Sequence, residues 1–245
     1  MSEPIRSPAN PQVKALLRLQ KARGRREHGH FLVEGRRAIQ AFLDAGWQPQ
    51  QLWLREELTP PQGWPPVRRC SAAVAQRVSQ ATTASGYLAV FPLPDGAELA
   101  PADGGLLLWG IRDPGNLGSL FRSAVAFRRG RIVLVDCCDP FGGKVVQATA
   151  GCLAGLRLWQ CDADRALALL AAAPGLALVA RDGQALEGIA PEKLWIVVGS
   201  EAHGLPAAVI SACRYRVTLP MAPEAESLNA AVAGAIVCYA RRDDG

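Results

Sequence analysis

Polar side chains that could do chemistry are concentrated in three segments, each directly after a predicted strand. Residues 112–127, RDPGNLGSLFRSAVAF, carry Asn116 and Arg122. Residues 197–206, VVGSEAHGLP, carry Glu201, and residues 219–229, LPMAPEAESLN, end in Ser227 and Asn229. An arginine near the start of a helix can hold a phosphate or orient a hydroxyl, and glycines let the backbone approach a ligand beside a carboxylate. These residue types indicate a ligand site.

Each segment also has a purely structural interpretation. Asn116 follows an Asp-Pro-Gly turn and can cap a helix, and Ser227 is a natural N-cap for the last helix. Arg122 could be a surface arginine, and His203 could be a packed loop residue. The first segment also predicts a core stripe by helical spacing, consisting of Leu117, Leu120, Phe121, Ala124 and Val125. Spacing alone leaves both interpretations open.

The elements around these segments predict an α/β protein of two domains. Short helices and strands alternate over residues 1–93, which we expect to form a small α/β domain, and residues 94–104, rich in Pro, Gly, Asp and Ala, have the composition of a linker. Over residues 105–245 near-continuous apolar strands alternate with helices, which indicates a parallel sheet covered on both faces. Ligands bind beyond the carboxyl ends of such strands, where the three segments lie.

The closing helix, within ESLNAAVAGAIVCYARR at residues 226–242, is apolar almost all the way round. Its alanines and Gly234 let another backbone approach closely. A helix of this kind is expected to be buried on all sides, against a second helix or a second subunit.

Composition limits the class of protein. The 245 residues carry a net charge of +5 and are 49% hydrophobic and 20% charged, so a folded chain is expected. Neither a membrane span nor a signal peptide is evident, which favours the cytoplasm. The seven cysteines lack metal-ligand spacing and are interpreted as reduced thiols, with no metal site.

The positive charge is concentrated near the start of the chain. A helix from about Pro11 would place Lys14, Arg18, Lys21 and Arg25 in a row, reinforced by Arg23 and Arg26. This row is either a solvated face or a surface for an acidic partner.

Taken together and in this order, the three segments resemble the signature motifs of the SpoU (TrmH) family of RNA ribose methyltransferases, in the SPOUT superfamily. The stretch NPQVKALLRLQKARGRREHGHFLVEGRRAI also resembles the substrate-binding domain of many members. The resemblance implies a SPOUT domain with a C-terminal trefoil knot, bound S-adenosylmethionine, a homodimer through the C-terminal domain, and an RNA substrate, ribosomal rather than transfer RNA. The reaction implied is methyl transfer to a ribose 2'-hydroxyl.

The resemblance also assigns roles to residues. It implies that Asn116 and Arg122 face the ribose and its phosphate, and that Glu201, Ser227 and Asn229 complete the catalytic site. The backbone around the cofactor is expected from Gly199, Leu219, Met221 and Leu228, and RNA contacts are expected from Lys14, Arg18, Lys21 and Arg25.

Some points stay open at this stage. Arg122 could act as a base, but a guanidinium scarcely deprotonates, so orienting the hydroxyl is the simpler role. Gln147 and Thr149 stand where an arginine and a serine are common in the family. Two further functions fit parts of the sequence: a dinucleotide-dependent oxidoreductase with Asp136 on the ribose, and an inactive RNA-binding protein of the same fold.

Overall fold

The computed structural model describes residues 3–95, 104–189, 193–222, 224 and 227–242. The chain divides into two compact units. The first contains Met1–Asp95 and Asp139–Ala154, and the second contains Gly96–Cys138 and Gly155–Gly245, each within its described residues. The first unit thus takes in a segment, 139–154, that lies beyond the linker proposed from composition.

The first unit is a four-stranded sheet with short helices. The strands have the order β1-β4-β2-β3, in which β4 is antiparallel to β1 and β2 and β3 is parallel to β2. The strands are β1 His30–Glu34, β2 Gln51–Arg55, β3 Arg68–Cys70 and β4 Tyr87–Pro92. The helices are α1 Pro11–Leu19, α2 Ala22–His28, α3 Arg36–Asp44, α4 Ala72–Val78 and, from the later segment, α6 Gly143–Ala148.

Aromatic packing explains why segment 139–154 belongs to this unit. The rings of Phe31 and Phe141 lie 4.9 Å apart between centroids, within a cluster of buried aromatic side chains. Trp47 donates its indole hydrogen to the carbonyl oxygen of Ala154 at 3.0 Å. Burial of large aromatic surfaces is among the strongest stabilising contributions in a small core. The segment therefore completes the core of the first unit.

Arg25 differs from its expected place on the basic row. The first helix ends at Leu19 and a new one begins at Ala22, so the helical spacing of Lys14 and Arg18 does not continue to Arg25. The Arg25 side chain is buried, donates from Nη1 to the carbonyl oxygen of Leu19 at 2.8 Å, and forms an ion pair with Asp139 at 2.6 Å. Arg25 therefore holds the turn between α1 and α2, and its guanidinium does not face solvent.

Replacing Arg25 with alanine is expected to lower the free energy of unfolding by about 2 kcal/mol, measured by urea denaturation. The loss leaves Asp139 without its ion-pair partner, although this carboxylate keeps partial access to water. The matched control is Arg23→Ala, since the Arg23 side chain is 85% exposed and pairs with Glu27 on the surface. The control should change stability by less than about 0.5 kcal/mol. Equal losses in both variants would contradict a structural role for Arg25.

The second unit is built on a parallel six-stranded sheet of order β10-β8-β9-β5-β6-β7. Its strands are β5 Gly105–Trp109, β6 Arg131–Val135, β7 Arg157–Cys161, β8 Gly175–Leu178, β9 Trp195–Val198 and β10 Tyr215–Val217. Its helices are α5 Pro114–Ala126, α7 Ala163–Ala172, α8 Ala207–Ala212 and α9 Ala230–Ala240, with a 3-10 turn at Leu186–Gly188. The predicted α/β class with a parallel sheet is confirmed.

The strand order creates a crevice between β5 and β9. From β5 the chain runs outward through β6 and β7, then returns to the other side of β5 with β8 and β9. Where the direction of winding reverses, the loops after two neighbouring strands separate and leave room for a ligand. The first two polar segments of the sequence follow these two strands.

The loop after β8 passes from one edge of β10 to the other. On one edge Val179 donates its backbone hydrogen to the carbonyl oxygen of Val217 at 2.9 Å. On the opposite edge the backbone N–H of Gln184 donates to the carbonyl oxygen of Arg216 at 2.9 Å. The carbonyl oxygen of Gln184 accepts from the backbone N–H of Thr218 at 3.2 Å. Residues 179–184 therefore enclose the end of β10, and the contact is close, because a methyl group on Gly183 would lie 2.5 Å from the nitrogen of Thr218.

The last helix is buried on one side only. It packs on α5 and β9, where Gly234 faces Leu120 so closely that an added Cβ would lie 2.5 Å from that side chain. On its other side Val232, Ile236 and Tyr239 are exposed, and so is Val125 of α5, which the sequence placed in the core stripe. We name these four residues the α5–α9 apolar face. The described residues of the single chain therefore leave one side of this helix uncovered, and its burial by a second subunit stays a prediction.

The seven cysteines are free thiols. Burial raises the pKa of the Cys137 thiol to about 11 and those of Cys213 and Cys238 to about 12, so all three stay protonated near neutral pH and are poor nucleophiles. Within the described ranges, no three His, Cys, Asp or Glu side chains are grouped to hold a metal ion. None of the helices in those ranges is long and apolar enough to cross a membrane.

Candidate functional site

The loop after β5 presents Asn116 from the first turn of α5. The N-cap is Asp113, whose carboxylate accepts the backbone hydrogen of Asn116 at 2.8 Å, and Pro114 occupies the first helical position. The sequence placed the cap at Asn116, and this is wrong because the helix begins two residues earlier. Capping by Asp113 leaves the side chain of Asn116 available for other contacts.

The loop after β9 presents Glu201 from a tight turn. Gly204 donates its backbone hydrogen to the carbonyl oxygen of Ser200 at 2.8 Å, which closes the turn around Glu201. The carboxylate oxygen Oε1 of Glu201 accepts from Asn116 Nδ2 at 2.7 Å and also from Asn229 Nδ2. The two polar loops are therefore joined by direct hydrogen bonds.

Asn229 joins the same cluster from the start of α9. Its side-chain oxygen accepts the backbone hydrogens of Ala231 at 2.9 Å and Val232 at 3.2 Å, so Asn229 is the N-cap. The predicted cap at Ser227 is wrong, since asparagine is at least as good a cap and stands next to the helix. Asn229 Nδ2 also donates to Asn116 Oδ1 at 3.0 Å. The helix cap thereby fixes the amide that contacts Glu201.

Asn116, Glu201 and Asn229 form a closed triangle of hydrogen bonds, which we name the amide–carboxylate cluster. Its contacts fall on Glu201 Oε1, and no hydrogen bond to Oε2 is present among the described residues. A carboxylate oxygen held in place in this way can accept a hydrogen bond from a ligand hydroxyl. The cluster can therefore position a hydroxyl group.

A cavity of about 330 Å³ lies on one side of Glu201. It is lined by the ends of β8 and β9, the segment after β10 and the start of α9, and its lining includes every residue predicted to hold the cofactor: Gly199, Leu219, Met221 and Leu228. Ser227 lines it as well. We name it the cofactor cavity.

The cofactor cavity fits the predicted S-adenosylmethionine in character. Apolar side chains provide most of the lining and Ser200 and Glu201 add polar groups, as in typical sites for nucleoside-containing ligands. At Gly199 the backbone on the other side of the Ser200–Gly204 turn comes very close. A Cβ at Gly199 would meet the carbonyl carbon of Gly204 and lie 2.7 Å from the nitrogen of Leu205. Only glycine, which has no Cβ, allows the two backbone segments to pack this closely.

A second cavity, of about 610 Å³, lies on the other side of the same turn. The two cavities share one wall, which consists of Ser200, Glu201, His203, Gly204 and Ala230. Asn116 lines the second cavity, together with residues at the ends of β5 and β6. Glu201 therefore lies between two spaces, as a group that aligns two reactants must.

Arg122 is not brought into the amide–carboxylate cluster. Its side chain is exposed on α5, three residues before Val125 and therefore on the side of the helix that carries the α5–α9 apolar face. Among the residues proposed to contact RNA, Lys14, Arg18 and Lys21 are exposed, whereas Arg25 is buried.

A family model described as the SpoU rRNA Methylase family matches residues 105–239. The chain belongs to this family. A second model, described as an MRM3-like substrate binding domain, matches residues 10–89. Membership of the SpoU family confirms the family predicted from the three segments, the methyltransferase class and S-adenosylmethionine as the cofactor.

Individual relatives of this SpoU family protein span nearly the whole chain. An uncharacterized tRNA/rRNA methyltransferase of Synechocystis sp. is 29% identical and covers 97% of this chain and 93% of its own. A 23S rRNA (guanosine(2553)-2'-O)-methyltransferase of Bacillus subtilis is 28% identical, and the match covers 96% of this chain and 97% of the relative. A crystal structure of an RNA 2'-O ribose methyltransferase is 28% identical, with a TM-score of 0.83 over 97% of both chains.

Two residues that line the second cavity, Trp109 and Arg112, were not singled out as site residues from the sequence. Asp136, which also lines it, was named only for the alternative oxidoreductase. Their positions after β5 and β6 were a usable signal, since the carboxyl ends of parallel strands meet at one edge of the sheet. His203, interpreted as either loop packing or site, lines both cavities.

Proposed function

We propose that the protein transfers a methyl group from S-adenosylmethionine to a ribose 2'-hydroxyl of RNA, with ribosomal RNA as the substrate. The observation that carries the proposal is the amide–carboxylate cluster in the wall between two cavities. One cavity suits a nucleoside-containing cofactor, and the other is larger and leaves room for part of an RNA chain. Relatives named as 23S rRNA 2'-O-methyltransferases favour ribosomal over transfer RNA.

The cluster orients the hydroxyl that reacts. S-adenosylmethionine, when bound, supplies an electrophilic methyl group on a sulfonium. Glu201 Oε2 accepts a hydrogen bond from the 2'-hydroxyl and thereby aims an oxygen lone pair at the cofactor cavity. Because the ribose oxygen gains the bond to the methyl carbon that the sulfonium sulfur gives up, the hydroxyl proton becomes acidic and leaves to water. Asn116 and Asn229 hold the carboxylate in place, and Ser227 adds a hydroxyl in the cofactor cavity.

Arg122 has a different part in this proposal. A guanidinium stays protonated at neutral pH, so it binds an RNA phosphate and does not act as the base. Its exposed position next to the α5–α9 apolar face supports a contact at the boundary with the proposed second subunit.

The test uses S-adenosylmethionine with a labelled methyl group, together with unmodified ribosomal and transfer RNA transcripts. Digestion of the products to nucleosides should yield a labelled 2'-O-methyl nucleoside from ribosomal RNA. Label on a base would contradict the reaction, and label only in transfer RNA would contradict the substrate. RNA binding without any transfer of label would favour the inactive binding protein, and binding of a nicotinamide cofactor in place of S-adenosylmethionine would favour the oxidoreductase.

We also propose that the C-terminal part of the chain forms a trefoil knot. Support comes from residues 179–184, which enclose the end of β10 by hydrogen bonds on both of its edges. The chain continues from β10 to Leu219 and Met221 in the cofactor cavity and then to α9. Knots are nearly absent from proteins, so these hydrogen bonds alone would not justify a knot. Membership of the SpoU family is the second ground for the proposal.

The exposed residues Lys14, Arg18 and Lys21 are proposed to contact RNA phosphates. They lie along α1 and the turn that follows it, within the segment matched by the substrate-binding model. Charge-based contacts of this kind release counterions and depend strongly on salt.

Reversing the charge of Arg18 by Arg18→Glu is expected to weaken RNA binding about tenfold at low salt and to reduce the slope of log affinity against log salt concentration by about one unit. Filter binding at several salt concentrations measures both quantities. The control is Arg77→Glu on α4, which makes the same change in net charge at another exposed site. An identical effect of the two variants would show that the charge matters and its position does not.

A homodimer through the α5–α9 apolar face is the proposed assembly. Exposed apolar side chains on adjacent helices are typical of subunit contacts. Val232 and Ile236 are one helical turn apart, so they present a continuous strip.

Introducing a charge at the centre of this face by Ile236→Asp is expected to weaken the dimer at least about tenfold, because an unpaired carboxylate would be buried at the contact. Light scattering coupled to size exclusion measures the mass across a dilution series. Ala171→Asp on the exposed side of α7 is the control and should leave the mass unchanged. A monomeric wild-type protein at micromolar concentration would contradict the assembly.

The cytoplasmic location stays a prediction from the sequence.

A further inference from the structure

The second cavity is larger than the methyl transfer to a ribose hydroxyl requires. It is larger than the cofactor cavity, about 610 Å³ against about 330 Å³, and lies within the size range of sites for whole small ligands. A ribose hydroxyl at Glu201 needs only the shared wall. The rest of the cavity extends away from Glu201 toward the ends of β5 and β6.

An aromatic side chain lies in this remaining space. Trp109 is the last residue of β5, the strand that pairs with β9 on one side and β6 on the other. It is half-buried: part of it packs against the core cluster around Leu107 and Val135, and it also lines the cavity. Ile111 and Pro206 contribute further apolar lining. A fixed aromatic ring beside apolar groups is the surface on which proteins hold an unstacked nucleobase.

The rim of the cavity is polar. Arg112 and Asp136 form an ion pair there, and both side chains are 66% exposed. Asp136 has a backbone φ of 53°, in the left-handed region that non-glycine residues seldom adopt. The turn after β6 thus holds a carboxylate and a guanidinium beside the aromatic wall, as donors and acceptors for the edge of a base.

Resting on the proposed function, we propose that the second cavity binds the nucleobase of the target nucleotide, with Trp109 as its aromatic contact and the Arg112–Asp136 pair at its polar edge. In a nucleotide the base is attached to the carbon next to the one that carries the 2'-hydroxyl. A hydroxyl bound at Glu201 therefore places the base within reach of this cavity. The base must be unpaired and turned out of its stack to enter it.

The first experiment measures nucleotide binding by tryptophan fluorescence in the presence of S-adenosylhomocysteine. The chain has six tryptophans, so the signal of Trp109 is the difference between the wild-type protein and Trp109→Phe. The four nucleoside 5'-monophosphates are titrated, with ribose 5-phosphate as a probe that lacks a base. At least one nucleotide should quench the Trp109 signal, and ribose 5-phosphate should not. Equal quenching by ribose 5-phosphate, or no quenching by any nucleotide, would overturn the base pocket.

The second experiment measures methyl transfer to ribosomal RNA. Trp109→Leu keeps an apolar side chain but removes the aromatic face, and should raise the KM for RNA about tenfold while the Kd for S-adenosylmethionine changes less than twofold. Trp109→Phe should restore most of the loss. The control is Trp159→Phe on β7, since Trp159 is not among the residues that line either cavity. Thermal unfolding of each variant identifies a loss of folding.

The two proposals fail in different ways. An unchanged KM in folded Trp109→Leu, with transfer by the wild-type protein intact, would overturn the base pocket alone. A wild-type protein that binds S-adenosylmethionine but methylates no RNA would overturn the proposed function, while nucleotide quenching of Trp109 would still support the pocket.

Discussion

Glu201→Gln is expected to lower the rate of methyl transfer on the order of a hundredfold at saturating S-adenosylmethionine and RNA. The glutamine can still accept hydrogen bonds from Asn116 and Asn229 through its oxygen. Its amide group then occupies the position of Oε2 and offers hydrogens where the ribose hydroxyl requires an acceptor. A hydroxyl turned away from the reacting carbon loses most of the benefit of alignment, for which about a hundredfold is typical. Single-turnover transfer of labelled methyl measures the effect.

The matched control is Glu187→Gln, which makes the same chemical change at an exposed position on the turn Leu186–Gly188. It should leave the rate within about twofold. Both variants should unfold at the temperature of the wild-type protein, because neither carboxylate lies in a core. A normal rate of methyl transfer in Glu201→Gln would contradict the proposed role of Glu201 in orienting the hydroxyl.

Gly199→Ala is expected to raise the Kd for S-adenosylmethionine at least about a hundredfold. The added methyl group would lie 2.5 Å from the carbonyl oxygen of Gly204 and 2.7 Å from the nitrogen of Leu205. These are backbone atoms, so no side chain can move aside, and the turn that carries Glu201 must shift. Because this turn is the wall shared by both cavities, the displacement disturbs cofactor binding directly. Isothermal titration calorimetry measures the affinity.

Gly188→Ala provides the comparison, since a methyl group there meets nothing within 4 Å. Its affinity for S-adenosylmethionine should match that of the wild-type protein. The two variants add the same single carbon, so a difference between them reports the local backbone contact and not the loss of a glycine. Normal affinity in Gly199→Ala would show that the cofactor binds elsewhere.

Much of the second unit was predictable because its strands are short apolar runs separated by helical periodicity. The alternation of apolar strands and helices predicted there is present, and the residues predicted to hold the cofactor line one cavity. The polar residues Asn116, Glu201 and Asn229 could be grouped in advance because each follows a strand of one parallel sheet. Their roles in catalysis stay a prediction.

Other features depend on contacts between distant residues, which spacing does not encode. Arg25 has the sequence context of a surface residue, and only its pairing with Asp139 removes it from the basic row. β3, of sequence Arg-Arg-Cys, has no apolar run and is a strand because it pairs with β2. Val125 fits the core stripe of α5 by spacing but is left exposed by the elements that the structure describes.

The enclosure of β10 by residues 179–184 also limits the order in which the cofactor cavity can form. The lining of the cavity begins at Leu178 and is completed only by Ala233. A chain that folds as it leaves the ribosome therefore cannot complete the cavity until Ala233 has emerged. We expect the strands of the sheet to be in place before the wall that α9 contributes.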